Sequence, residues 1–451
     1  MIVDDRKSNG CDVSRLRELK DAVISMRLIL YGLMGLAVLP LQGGQLLAFP
    51  GADGFAAFST GGRGGKIVRV TNLNKRGPGS FAWAVNEVKE PRTIVFTVSG
   101  VIDCNNEISF LINAENDHVT IAGESSPGGI AVYNYRNFQI KDGAQEVIMR
   151  FMRFRGTRIH TKNDPDGLLI WRASDVIVDH CSFAGACDET ISTSLATNVT
   201  IQWTGYDESR KEKAHNDYFT NGGQWHNYGG LYSQSTNISI HHCLFAHQSK
   251  RNPLAPKGSY VEAINNVVYN YSNEQQTWGA AGEGLKIAGC YFKLGPDRRK
   301  RPIPVRDDAI AIKGCVSVEL DGSPGPSVND LNELGKVNIR NAQTALDAYP
   351  LVLSLVGAIP HDATSRRMIE ETRFGTGKQG YFPDIEADRK VLASKRRTLD
   401  SDEDGIPDVW EFRRRLDHRD AKDALKIGPF GYTHLEDYHH HLADLLLGSA
   451  R

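Results

Sequence analysis

A repeated strand pattern between residues 119 and 292 constrains the fold more than any other feature of the sequence. Six short segments alternate apolar and polar residues, as half-buried strands do. They are EVIMRFMRF (146–154), SDVIVDHCSF (174–183), TNVTIQW (197–203), TNISIHHCLF (236–245), YVEAINNVVY (260–269) and EGLKIAGCYF (283–292). Cys243, Val267 and Cys290 take matching places in three of these segments, 24 and 23 residues apart. A period in the low twenties without helical patterns between the strands predicts a solenoid, so we expect an all-β, right-handed parallel β-helix.

An antiparallel sandwich is the alternative architecture for the repeat region. It needs hairpin turns between adjacent strands, and the sequence shows few of them. Upstream of the repeats, residues 60–88 read as a strand, a turn and a helix that starts near Ser80, a residue type suited to the N-cap. We expect this helix to cover one open end of the β-helix, where unpaired strand edges need protection.

The sequence also suggests domain boundaries. Residues 28–41 (LILYGLMGLAVLPL) are too short for a comfortable membrane span and fit the apolar part of an export signal. We therefore expect a leader over 1–47, with Met26 as a possible alternative start, and a secreted or periplasmic protein. A buried or membrane-anchoring helix is the alternative. The β-helix domain is predicted over 48–335, a segment packing on it over 336–395, and a tail over 396–451.

Charge and cysteine content narrow the function classes. The 53 basic and 54 acidic residues give a net charge of −1, which argues against broad nucleic-acid binding. The seven cysteines are scattered and form no framework of short spacings. Cys181, Cys243 and Cys290 recur at matching repeat positions, which predicts that they pack as small apolar residues.

The tail contains the sharpest local motif of the chain. Seven residues fall at positions 1, 3, 5, 6, 7, 9 and 12 of an EF-hand-like loop, namely Asp400, Asp402, Asp404, Gly405, Ile406, Asp408 and Glu411. Ile406 would offer its carbonyl oxygen, and a helix would follow. An acidic linker is the alternative. The following segment, PFGYTHLEDYHHHLADLL, has no acids ahead of its glycine, so we expect it to pack without a metal and the tail to be structural.

Acidic residues also flank the strand 176–183. Asp164 and Asp166 are two residues apart and would share a face of an extended chain, and Asp188 follows the strand after a Gly-Ala turn. Oxygen-rich clusters of this kind suit Ca²⁺ better than zinc. Ordinary turn residues are the alternative interpretation. Arg251 lies just past the strand 238–245, and stacking of coils would bring it to the same flank as the acids.

These residues lie within a series of motifs in which the chain resembles bacterial pectate lyases of the parallel β-helix type. The match runs from AFPGADGF (48–55) to GTGKQG (375–380). It includes LNKRGPGSFAWAV, PRTIVFTVSG, VTIAGESSPGGI, DVIVDHCSF, GACDE, NVTIQW, YGGL, HHCLFAHQSKRNP and NNVVYN. The acidic tail is similar to calcium-binding appendages of bacterial polysaccharide lyases.

The resemblance implies Ca²⁺-assisted β-elimination on pectate (polygalacturonate). Arg251 matches the family's arginine base in an R-x-P pattern. Asp164, Asp166 and Asp188 match calcium ligands, and Glu189 would complete the metal shell. The metal would act as a Lewis acid toward the uronate carboxylate.

Two departures from the family pattern bear on affinity, substrate preference and activity. Ser192 stands where the family often has a further acid, and Leu254 stands where it often has a second arginine. Lys257 would supply the missing cation for substrate binding, or is a surface lysine. His226 and Tyr228 are expected to line the cleft that binds the substrate.

Two rival functions stay open, and the departures at Ser192 and Leu254 favour the first of them. A non-catalytic β-helix that binds acidic polysaccharide is one, although the intact Arg251-Asn252-Pro253 unit speaks against it. A hydrolase on the same scaffold is the other, and it would need paired carboxylates as acid and base with no metal. Asp188 and Glu189 are adjacent, point apart and make a poor pair. We expect a monomer.

Overall fold

The computed structural model describes residues 45–156, 165–207, 212–213, 225–226, 228–271, 278–279, 284–297, 305–306, 310–325, 328–330, 332–393 and 398–450. Nearly all of the expected leader, 1–47, and the predicted ligand Asp164 fall outside these residues. From Leu47 onward the chain forms one compact unit. Among the described residues, no helix has both the length and the apolar character that crossing a bilayer requires.

Three parallel sheets build the solenoid from the described strands. Sheet A comprises Lys66–Val70, Arg92–Phe96, Val119–Ala122, Gln145–Arg150, Ser174–Asp179, Thr197–Gln202, Thr236–His241, Val261–Ile264, Leu285–Ala288 and Ile310–Lys313. Sheet B comprises Gly100–Asp103, Ile130–Tyr133, Arg153–Arg155, Ser182–Ala184, Gly205–Asp207, Leu244–Ala246, Val267–Tyr269, Tyr291–Lys293 and Val316–Val318. Sheet C comprises Ser109–Ile112, Asn137–Lys141, Leu168–Trp171, Glu189–Ser194 and Tyr228–Ser233. The expected parallel β-helix is confirmed.

Two short strand pairs lie outside the three sheets. Glu212–Lys213 pairs antiparallel with Trp225–His226, and Trp278–Gly279 pairs parallel with Val305–Arg306. Two short 3₁₀ turns span Gly123–Ser125 and Asp423–Leu425.

Stacked side chains of like character form the core of the β-helix. One ladder in sheet A consists of Val147, Val176, Val199, Ile238, Val261 and Leu285. The described members of this ladder are buried, and each coil lies directly on the next, so the apolar faces form one continuous core. The sequence pattern therefore repeats because the same positions are buried in each coil.

One member of the repeat alignment, Val267, is wrong. Val267 pairs with Leu244, so the place equivalent to Cys243 belongs to Asn266. Asn266 fits there because its side-chain oxygen accepts from the Cys243 backbone N–H at 2.9 Å, and its amide donates to the Ile240 carbonyl. Cys181, Cys243 and Cys290 are buried and free, as the apolar interpretation predicts.

Helix α1 (Phe81–Asn86) covers the first coil, as expected from the sequence. The Ser80 hydroxyl accepts a hydrogen bond from the Trp83 N–H and caps the helix. Phe81 is fully buried, with its ring centroid 5.0 Å from that of Phe110 and 5.5 Å from that of Phe96. The buried Arg92 guanidinium donates to the carbonyls of the last helical turn, including that of Val85. The helix thus closes the core at the N-terminal end.

Three helices follow the solenoid: α2 (Ala345–Leu355), α3 (Ala363–Phe374) and α4 (Ile385–Val391). Apolar residues of α2 and α3 pack on Leu244 and Val267 of sheet B. The buried Arg155 guanidinium of sheet B lies 2.5 Å from the carboxylate of Asp362, the N-cap of α3. These contacts position the 336–395 segment on the β-helix.

The tail adds helices α5 (Asp408–Arg414) and α6 (His434–Ala450). Ile406 and Trp410 pack with Leu435 of α6 and with Val95 of sheet A. An ion pair at 2.7 Å joins Arg63, just before the first strand of sheet A, to Glu436 of α6. The tail therefore lies along the outer face of the first coils.

Candidate active site

The candidate site forms where three neighbouring strands of sheet C begin. Glu189 pairs with Tyr228, and Tyr228 pairs with Lys250 on the next coil. On the other side, the Glu189 N–H donates to the Asp166 carboxylate at 3.2 Å. Residues from four successive coils therefore stand side by side, although they span more than 80 positions of the sequence (166 to 250).

Three carboxylates converge at this edge. Asp166, Asp188 and Glu189 each offer one oxygen, and these oxygens all lie within 4.8 Å of one another. Burial raises the pKa of Asp166 to about 7, and the charge of Asp188 adds to the effect. A hydrogen bond from the Ser192 hydroxyl and the charge of Arg251 lower the pKa of Asp166 but do not offset burial. The cluster is therefore costly without a cation.

Arg251 extends over the same edge. Its guanidinium forms an ion pair with Glu189 and lies 4.4 Å above the centroid of the Tyr228 ring. Burial lowers the pKa of Arg251, whereas the charges on Asp188 and Asp166 act in the opposite direction. The guanidinium thus lies against the acid cluster, on the same wall of the β-helix.

Two glycines let the Arg251 segment approach sheet C. The Gly229 N–H donates to the Lys250 carbonyl at 2.9 Å, and the Gly230 N–H donates to the Arg251 carbonyl at 2.6 Å. A Cβ on Gly229 would come within 2.5 Å of the Arg251 carbonyl oxygen and of the Asn252 side chain. The YGGL motif is therefore a packing requirement of the site.

Not every predicted substrate-binding residue is placed in the cluster. Tyr228 is buried beneath Arg251 and also lies 5.7 Å from the Lys250 ammonium, so it supports the cations. Lys257 is exposed in a turn. The His226 backbone pairs with Glu212 in a short antiparallel ladder, and its side chain lies outside the described structure.

The tail motif assembles a second acid cluster. Asp400, Asp402 and Asp404 each offer one oxygen within 4.8 Å of the others, and so do Asp404, Glu411 and Asp423. Asp423 was not predicted from the sequence, because it stands 12 residues beyond the end of the loop motif.

Two members of the motif have other roles in the structure. Both Asp408 oxygens accept from Ser401, one from its N–H and one from its hydroxyl, each at 2.7 Å. Ile406 buries its side chain against sheet A. Whether Asp408 and the Ile406 carbonyl reach a metal stays a prediction.

The chain is similar to several curated proteins along most of its length. It is 30% identical over 441 residues to "Probable pectate lyase C" of Aspergillus terreus, covering 89% of this chain and 97% of that protein. It is 36% identical over 271 residues to "Probable pectate lyase C" of Emericella nidulans, covering 58% of this chain and 57% of that protein. No protein-family model matches the chain.

Among solved structures, a pectate lyase bound to a hexasaccharide is 14% identical, with a TM-score of 0.48 over 70% of this chain and 99% of that one. The family assignment rests on the sequence relatives alone. The sequence predicted a resemblance to bacterial pectate lyases. These sequence relatives do not support the bacterial part of that prediction, because they are fungal. At this identity and coverage, the chain belongs to the pectate lyase family.

Proposed function

We propose that this protein is a calcium-dependent pectate lyase that cleaves polygalacturonate by β-elimination. The observation that carries the proposal is the placement of the Arg251 guanidinium against the carboxylates of Asp166, Asp188 and Glu189. The names of the relatives agree with this activity. A cation beside a metal-binding acid cluster suits a polymer whose every sugar bears a carboxylate.

The donor set fits Ca²⁺. It contains only carboxylate oxygens, which hard cations prefer, and burial together with Asp188 raises the pKa of Asp166 to about 7. Asp166, Asp188 and Glu189 would hold the ion, and Asp164 would join them. When bound, Ca²⁺ neutralises the uronate carboxylate and makes the proton on C5 more acidic.

Arg251 would remove that proton with a guanidine nitrogen. The C4–O bond to the leaving sugar then breaks, a C4–C5 double bond forms, and the leaving oxygen takes up a proton. A free arginine has a pKa above about 12, so only an altered environment makes it a base. Burial favours the neutral form, and neutralising Asp188, Asp166 and the paired Glu189 removes negative charges that oppose it.

Substrate binding would use the cations that remain around the cleft. We propose that Lys257 contacts a uronate carboxylate in place of the arginine that Leu254 replaces. His226 would line the approach to the cleft. Tyr228 would act through Arg251, because its ring is buried beneath the guanidinium.

One observation favours a non-catalytic protein that binds acidic polysaccharide. Arg251 is already paired with Glu189, and a guanidinium held by a carboxylate is a poor base. If that ion pair persists with substrate bound, the site would recognise uronates without cleaving them.

A single experiment separates the candidate functions. Polygalacturonate is incubated with the protein in Ca²⁺ or in chelator, and the ultraviolet absorbance of the unsaturated uronate is followed. Calcium-dependent growth of absorbance supports the lyase. New reducing ends without absorbance would indicate a hydrolase, and binding without either product would indicate the non-catalytic protein.

A further inference from the structure

The acid cluster of the tail contains buried carboxylate oxygens that have no hydrogen-bond partner. Among the described residues, these are Oδ2 of Asp402, Oδ2 of Asp404, both oxygens of Glu411 and Oδ1 of Asp423. Glu411 is fully buried, and Asp404 and Asp423 are 2% and 3% exposed. Buried ionised groups are normally paired or bind a metal, so these oxygens are candidate ligands for a cation.

The loop is already folded around Asp404, the residue that the two groups of carboxylates share. Gly405 adopts the left-handed conformation, with φ of 92°, that the sharp turn requires. The Ile406 N–H donates to the other oxygen of Asp404 at 2.7 Å, which leaves Oδ2 of Asp404 for a ligand. In the same way, the Asp417 N–H donates to Oδ2 of Asp423 at 2.8 Å, which leaves Oδ1 of Asp423 for a ligand.

We propose that Ca²⁺ binds between this loop and Asp423, and that it joins the two halves of the tail to each other and to the first coils of the β-helix. All the candidate ligands are carboxylates, which Ca²⁺ prefers and zinc does not. Asp423 comes from the 3₁₀ turn Asp423–Leu425, beyond helix α5, so one ion links two segments that the sequence motif treats separately.

Contacts around the loop explain how the ion would act on the β-helix. Glu403, inside the loop, forms an ion pair with Arg69 of sheet A at 2.5 Å. Ile406 is fully buried among Val95 of sheet A, Leu435 of α6 and Ala424 next to Asp423. Fixing the loop therefore fixes the surface that docks on sheet A. This role is independent of the proposed lyase activity.

The test is thermal unfolding of the full chain in Ca²⁺ and in chelator. For the wild-type protein we expect a melting temperature several degrees higher with Ca²⁺, because an ion that binds the folded tail and not the unfolded chain stabilises the folded state. Asp423→Asn and Glu411→Gln should lose most of this rise. In chelator both variants should melt above the wild-type protein, since each removes a buried negative charge from an uncompensated cluster.

Two further variants complete the design. Asp444→Asn removes an exposed carboxylate of α6 from the same tail, and it should keep the full rise. Asp188→Asn alters the candidate active site and should keep the tail-dependent rise, even if it abolishes cleavage of polygalacturonate.

Three results would overturn the proposal. They are a wild-type melting temperature that Ca²⁺ does not change, an Asp423→Asn variant that keeps the full rise, and a rise that disappears in Asp188→Asn. Failure of the lyase proposal would appear only in the cleavage assay, so the two proposals are tested separately.

Discussion

The guanidinium of Arg251 forms an ion pair with Glu189, a residue that stands two coils earlier in the β-helix. The Tyr228 ring fills the coil between them and supports the guanidinium from below at 4.4 Å. One stack therefore joins the proposed base to the proposed calcium site, and each member can be altered alone.

Replacing Arg251 by lysine should abolish elimination and leave calcium binding intact. An ammonium keeps the charge but lacks the planar fork of the guanidinium. We expect the turnover number to fall at least about 100-fold, the lower range for losing a general base. Turnover is measured on polygalacturonate, and Arg136→Lys, an exposed arginine, is the matched control. Wild-type turnover in Arg251→Lys would remove Arg251 from the role of base.

Replacing Tyr228 by leucine should lower turnover about tenfold with little change in KM. A cation over an aromatic ring is stabilised by ~0.5–2 kcal/mol, so losing the ring loosens Arg251 rather than the substrate. Tyr228→Phe keeps the ring face and should retain most of the activity. Equal losses in the two variants would contradict a role for the ring, and a rise in KM alone would indicate direct contact with the substrate.

Replacing Ser192 by aspartate should strengthen calcium binding at the active site. The change adds a carboxylate beside Asp166, whose oxygen now accepts from the Ser192 hydroxyl. More ligand charge raises calcium affinity, so half-maximal activity should need on the order of tenfold less Ca²⁺. In chelator the same variant should unfold more easily than Ser192→Ala. A calcium requirement equal to that of wild type would show that position 192 does not face the ion.

The buried Glu124 should make stability fall as the pH rises. Burial raises the pKa of Glu124 to about 7, although the Arg150 guanidinium, 3.5 Å away, opposes the shift. A raised pKa in the folded state means that stability is complete below the unfolded value, near pH 4.5, and is lost as the pH rises through about 7.

We therefore expect Glu124→Gln to remove on the order of 1–3 kcal/mol of this pH dependence. The free energy of unfolding is measured between about pH 5 and pH 8, a range that brackets a pKa of about 7. Ca²⁺ is kept saturating, so that the charges of the two acid clusters stay neutralised. Glu115→Gln changes an exposed glutamate and serves as the control. Parallel pH curves for Glu124→Gln and wild type would contradict the prediction.

The sequence by itself determined the β-helix. Each coil buries the same positions, so apolar residues such as Val176, Val199 and Ile238 recur at matching places in the sequence. It also located helix α1 through Ser80, since capping depends on neighbours only three residues away. Local motifs likewise marked the acids of the tail loop.

Only the tertiary structure decided which distant residues meet. Asp423 joins the tail cluster from outside the motif, and Glu189 turns toward Arg251 across a coil whose length no local rule fixes. Asn266 takes the position that Cys243 takes on the coil before it. Its amide fits there because it hydrogen-bonds to the Cys243 N–H and to the Ile240 carbonyl of that coil. Contacts within one turn of the chain follow from propensity and spacing, whereas contacts between coils depend on register, and register is set by the packing of the whole core.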